Sequence, residues 1–148
     1  MNIKDYSSRV DSIDWNSYET AYGKATKVPH QLIKLASDNH KMAMQASHEL
    51  WCGLCHQHAY ISSAAEPAYI FLKEILEKAN EELRIELLDI FAGFAECSSP
   101  NHPEGNGELQ ISIRTLLKKD VQLFTKLRQL EGEDGFAEFI VEELESNA

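Results

Sequence analysis

Cys52, Cys55, His56 and His58 fall within seven residues of sequence, and His48 stands one helical turn before Cys52. Thiols and imidazoles at this density point to three kinds of chemistry. C-x-x-C-H, met by Cys52, Cys55 and His56, is the pattern by which a c-type haem is attached covalently. That reaction belongs to an exported chain, and the opening residues, MNIKDYSSRVDSIDW, carry no apolar h-region. The same cysteines with His56, His58 and His48 would offer four soft or borderline ligands to a tetrahedral zinc ion. The second half of a structural zinc motif is missing, however, and both cysteines continue a helical pattern instead of forming a knuckle. A Cys/His hydrolase would need an orienting group and an oxyanion hole, and neither is legible. The expectation is therefore a chain with no catalytic residue, metal or cofactor, in which the thiols pack as small hydrophobes. A zinc or redox protein centred on Cys52, Cys55 and His56 is the alternative from a different class.

The elements around this cluster are helical. Met42, Ala43, Ala46, Ser47, Leu50 and Leu54 recur at three-to-four spacing before it, and Ile70, Phe71, Leu72, Ile75 and Leu76 do so after it. The cluster is thus a corner between two amphipathic helices. His56 and Gln57 suit the C-terminus of the first, where such side chains bond to the last carbonyls. Ser62 or Ser63 suits the N-cap of the second, with Glu66 and Pro67 in its first turns. Trp51 and Tyr60 read as core residues with a polar edge.

Along the rest of the chain, a polar leader precedes a short helix over 15–23. Helices are expected from Val28 to Ser37 or Asp38, 41–54, 63–78, 81–97 and 109–130, the last with a bend near Asp120. Over 81–97 the faces are plain: Leu83, Leu87, Ile90, Phe91 and Phe94 fall inward, and Glu82, Glu86, Asp89 and Glu96 outward. The segment from Cys97 to Glu108, rich in Pro, Gly, Asn and Ser, is the longest loop. Gly132 and Gly135 punctuate the end of the sixth helix, and a final helix carries Phe136, Phe139, Ile140 and Leu144 inward. No strand pattern is present. Helix pairs near 28–54, 63–97 and 109–146, repeating about every 40 residues, match the period of HEAT or armadillo units. The predicted fold is a single all-α domain, an α-α superhelix of about three helix pairs capped by residues 1–23.

Composition narrows the function. Fourteen Lys and Arg stand against 24 Asp and Glu, a net charge of −10, which disfavours a phosphate backbone as partner. No run approaches the roughly 20 apolar residues of a membrane span. The three cysteines are an odd count without the density of a disulfide scaffold, so free thiols and a cytoplasmic location are expected. The acidic residues are patterned: Glu82, Glu86, Asp89 and Glu96 follow helical spacing, and residues 131–148 hold seven acidic and no basic side chains, Glu138 and Glu142 among them. Such rows often serve only as solvated faces. Here both lie on the second helix of a pair, which lines one side of an α-solenoid, and Gly93 opens a gap within the first row.

The segment AYGKATKVPHQLIKLAS over 21–37, with Trp15 before it and ELW at 49–51, His56-Gln57 and Pro67 after it, resembles a bacterial HEAT-like family. In that family Tyr-Gly-x-Ala-Thr-x-Val-Pro precedes a helix, a Leu-Trp helix leads to a His-Gln turn, and Ala-x-Pro starts the next helix. The match covers roughly residues 15–76. The chain departs from it at His58, where a Gly often follows His-Gln, and at Cys52 and Cys55. The resemblance implies a helical-repeat protein without catalytic residues, whose relatives look like immunity proteins of bacterial toxin systems. Combined with the acidic rows, the expected function is non-catalytic neutralisation of a basic, nuclease-type toxin, with a general HEAT-like adaptor as the alternative within the same class.

Overall fold

The computed structural model describes residues 1–131 and 135–146. Among them are eight α-helices: α1 (Ile3–Asp11), α2 (Val28–Leu35), α3 (His40–Leu54), α4 (Ala65–Leu76), α5 (Glu81–Cys97), α6 (Glu108–Lys119), α7 (Val121–Glu131) and α8 (Phe136–Ser146). Helices α2 and α3 pack as one pair, α4 and α5 as a second, and α6 and α7 together oppose α8 as a third. The second members, α3, α5 and α8, touch in series, and the first members, α2, α4 and α6, do the same. Two rows of helices result. The fold is all-α, with the stacking of a helical solenoid and the three units expected from the periodicity.

Helix α5 is central, in contact with α3, α4, α6 and α8. Its inward residues Leu83, Leu87, Ile90, Phe91 and Phe94 are buried, as their spacing predicts. Phe91 meets Tyr69, Phe94 and Phe124 at ring-centroid distances of 5.2, 5.8 and 5.5 Å, joining α4, α5 and α7 in one aromatic cluster. The Asn80 side chain caps the helix by accepting from the Leu83 N–H at 3.0 Å.

The structure corrects several expectations. The polar leader is a helix: α1 buries only Tyr6 and Val10, too few apolar positions to stand out in a charged sequence. The Tyr6 hydroxyl donates to the Leu32 carbonyl at 2.9 Å, and Arg9 forks onto Glu74 of α4 at 2.9 and 2.8 Å. The helix expected over 15–23 is instead a short turn at Trp15–Ser17 followed by a hairpin, β1 (Glu19–Thr20) and β2 (Gly23–Lys24), with Glu19 opposite Lys24 and Thr20 opposite Gly23. Gly23 has φ 114°, a conformation that ends any helix there and closes the hairpin tip. Strands of two residues are too short to show alternation.

The helix expected over 109–130 is two, broken at Asp120, where the bend was expected. The Asp120 carboxylate accepts from the Tyr69 hydroxyl at 2.8 Å and the Lys73 ammonium at 2.7 Å, both on α4. Phe139, expected inward on α8, is exposed, and Ala137, Ile140, Val141 and Leu144 form the buried face. No serine caps α4, whose N-cap position is Ala64; Ser63 Oγ accepts instead from the Glu19 N–H at 2.8 Å. The Ala64 N–H donates to the Glu19 carbonyl at 3.0 Å and the Ala21 N–H to the Gly53 carbonyl at 2.9 Å, so the hairpin is stitched to both sides of the corner. Gly132 lies outside the described residues.

Candidate functional site

Glu82, Asp89 and Glu96 recur every seven residues along α5 and therefore share one edge of it. That edge faces the first helix pair. At its start His40, the first residue of α3, takes a hydrogen bond from Asn80 Nδ2 on its Nδ1 at 3.2 Å and presents Nε2 to Glu82 at 3.1 Å. A neutral imidazole satisfies both contacts. Further along, the corner between α3 and α4 folds over α5 and brings His58 between Asp89 and Glu96.

The corner is built on unusual backbone. His56, Gln57 and His58 have φ of 39°, 55° and 70°, three consecutive residues in the left-handed region. Each costs about 1 kcal/mol or more for a residue with a Cβ. Gly is the residue that adopts this conformation without strain, and His58 adopts it with a Cβ. What holds it is the imidazole. Nδ1 lies 2.8 Å from Glu96 Oε2, and Nε2 lies 2.7 Å from Asp89 Oδ1 and 2.9 Å from the Asp89 carbonyl. Both nitrogens face acceptors alone, an arrangement that the doubly protonated imidazolium satisfies. Burial pulls the His58 pKa down, but the hydrogen bonds to Glu96 and Asp89 outweigh it and hold the pKa above the ordinary histidine value. His56 and Gln57 therefore do not cap α3; the histidine that matters here reaches across to another helix.

Gly93 is not a gap. It lies beneath the corner, where an added Cβ would stand 2.7 Å from Cys55 Sγ and 3.0 Å from His58 Cδ2. Absence of a side chain at 93 is what lets the corner sit on α5. Cys55 is buried, donates to the Trp51 carbonyl at 3.3 Å, and has its thiol pushed up to about 12, chiefly by burial.

The expected acidic surface thus divides. Asp89 and Glu96 are occupied by His58. Glu138 is paired with Arg128 of α7 at 3.4 Å. Glu82 keeps a side chain 77% exposed beside His40. The carboxylates of Glu86, half-buried, and Glu142, exposed, have no hydrogen-bond or ion-pair partner among the described residues, although the Glu142 carbonyl accepts from the Ser146 hydroxyl at 2.6 Å. Between Glu82 and Glu86 the apolar Ile85 is 38% exposed, and on α8 Phe139 is 37% exposed next to Glu138 and three residues from Glu142. Sequence reasoning selected the carboxylates and missed His58 as their partner, although the seven-residue spacing and the central Gly93 were both visible.

The thiols and imidazoles do not converge on one point: Cys52 meets His48 at 3.7 Å, whereas Cys55 and His58 lie over Gly93. Cys52 and Cys55 have different surroundings, and among the described residues no group of three or more His, Cys, Asp or Glu side chains is arranged to hold a metal ion. Cys52 opens on a separate cleft between the hairpin and α3, lined by Thr20, Tyr22, Lys24, Lys27, Gln31, His48 and Glu49 among others. No helix of the described residues is long and apolar enough to cross a membrane. No family model, no curated protein and no solved structure matches the chain.

Proposed function

We propose that the chain is a cytoplasmic, non-catalytic binding protein of the immunity type, which neutralises a basic, nuclease-type toxin through the row formed by α5 and α8. One observation carries this reading: exposed Ile85 stands between Glu82 and Glu86 on α5, and exposed Phe139 stands with Glu142 on the contacting helix α8. Apolar anchors within a charged rim are what a protein partner requires. The rim is acidic in a chain of net charge −10, so it attracts a cationic partner and accelerates encounter.

Within this reading the acids act in two ways. Glu82, Glu86 and Glu142 meet the partner directly. Asp89 and Glu96 fix the corner through His58, which leaves the Trp51–Tyr60 segment in a defined position beside the row. The partner's Lys and Arg side chains would pair with the open carboxylates and cover its own cationic, nucleic-acid-facing site. Inhibition then needs no chemistry from this chain.

The test is reconstitution with the product of the neighbouring gene, which this reading expects to be a basic, nuclease-type protein. Stoichiometric complex formation with loss of nuclease activity is the expected result. A neighbouring product that is not basic, or a basic one that stays active and unbound beside the wild-type chain, overturns the reading.

A further inference from the structure

We propose that the cleft between the hairpin and α3 is a thiol-exchange site, in which Cys52 accepts one half of a small anionic disulfide. The inference is independent of the α5–α8 row. It begins from the difference among the three cysteines. Cys55 and Cys97 are buried, and burial pushes both thiols up to about 12. Cys52 is only partly buried and lines the cleft, and its sulfur lies 3.7 Å from Nε2 of His48, one turn earlier on the same helix. A thiol beside an imidazole has a local acceptor for its proton, and the thiolate is the attacking species in disulfide exchange.

The walls specify the reagent. The cleft encloses about 670 Å³, within the size range of sites that hold small molecules. Its charged and titratable lining groups are Lys24, Lys27, His48, Glu49, Tyr22 and Cys52. Glu49 already accepts from Gln31 Nε2 at 3.1 Å. Lys24 and Lys27, both exposed, have no ion-pair partner among the described residues. In a chain with 24 acidic against 14 basic residues, a cleft with two unpaired lysines and one engaged carboxylate is locally inverted in charge. It complements the carboxylates of a peptide-like disulfide such as glutathione disulfide. Thr26 adds a hydroxyl, while the Thr20 hydroxyl already donates to the Gly23 carbonyl at 3.2 Å.

The exchange balances without a further reagent. His48 takes the Cys52 proton, and the thiolate attacks one sulfur of the disulfide. A protein–ligand S–S bond forms as the original S–S bond breaks, and the leaving thiolate recovers the proton. Cys52 is oxidised and the departing thiol reduced. Cys55 cannot resolve the mixed disulfide, because its sulfur is buried over Gly93 and its thiol donates to the Trp51 carbonyl, so the adduct persists.

The test treats the folded chain separately with glutathione disulfide and with cystamine, a cationic disulfide. Adducts are located by mass spectrometry, and each rate is normalised to that of the same chain unfolded in urea. A single adduct at Cys52 is expected, with glutathione disulfide favoured about tenfold by the local field. Lys24→Ala/Lys27→Ala should remove that preference, and His48→Gln should slow exchange while the helical circular dichroism is unchanged. No adduct at Cys52 in the folded chain, or equal normalised rates for the two disulfides, overturns the proposal.

Discussion

His58 Nδ1 lies 2.8 Å from Glu96 Oε2, a contact across 38 residues that ties the corner after the first helix pair to the second helix of the next. With Asp89 on the other ring nitrogen, the contact sets the corner's dependence on pH. The His58 pKa is raised on folding, so the stabilisation is fully present below the unfolded value near 6.5 and is lost as pH rises through the folded value. The urea midpoint should therefore fall as pH is raised through this range. His58→Gln should flatten the profile. A wild-type midpoint unchanged across that window would contradict the imidazolium assignment.

The left-handed φ of His58 separates the imidazole's contribution from the backbone's. His58→Ala keeps the strained backbone and loses both contacts, whereas His58→Gly loses the contacts and relieves the strain. The glycine variant should be the more stable of the two by about 1 kcal/mol. Thermal denaturation of the pair reads this difference directly, and equal stabilities would mean that the corner relaxes to ordinary φ once the imidazole is removed.

Gly93→Ala should destabilise the protein by roughly 1–3 kcal/mol, because the new methyl group overlaps Cys55 Sγ and His58 Cδ2. Cys55→Ala removes the nearest of these atoms. The double variant should recover part of the loss, giving a non-additive cycle in denaturant titrations. Strict additivity would place the corner farther from α5.

Leu87 and Phe91 are 0% exposed at the centre of the stack. Truncation of either to Ala should cost about 2–5 kcal/mol, through lost burial and the cavity left behind. A loss no larger than that of the exposed control Glu82→Ala would remove the assignment of α5 as the central helix.

Helices with a full apolar stripe were legible from sequence, and α3, α4 and α5 fall where Leu50, Leu72 and Leu87 and their neighbours recur. So was the pairing of helices, because each stripe needs cover on both flanks. Helix α1 was not, since Tyr6 and Val10 alone anchor it and its capping by Asn2 is local. The hairpin was hidden because its stability comes from Ser63, Ala64 and Gly53, which are distant in sequence. At the candidate site, spacing identified the carboxylates but not which of them a histidine from the preceding unit already occupies. That depends on the left-handed turn at 56–58, where three residues with Cβ atoms adopt a conformation that propensity assigns to glycine.

If the open acids of α5 guide a cationic protein to the row, stopped-flow association reads that guidance. Wild type and Glu82→Lys/Glu86→Lys are mixed with the cognate basic partner at low and high ionic strength, with stability checked separately by urea titration. Exposed charges contribute at most about 1 kcal/mol each to folding, while together they shape the field at the surface. The association rate at low salt should fall in the variant, and should fall for wild type as salt shortens the screening length, with the urea midpoint little changed. Equal rates for the two proteins, indifferent to salt, would contradict that guidance and make the row a solvated face.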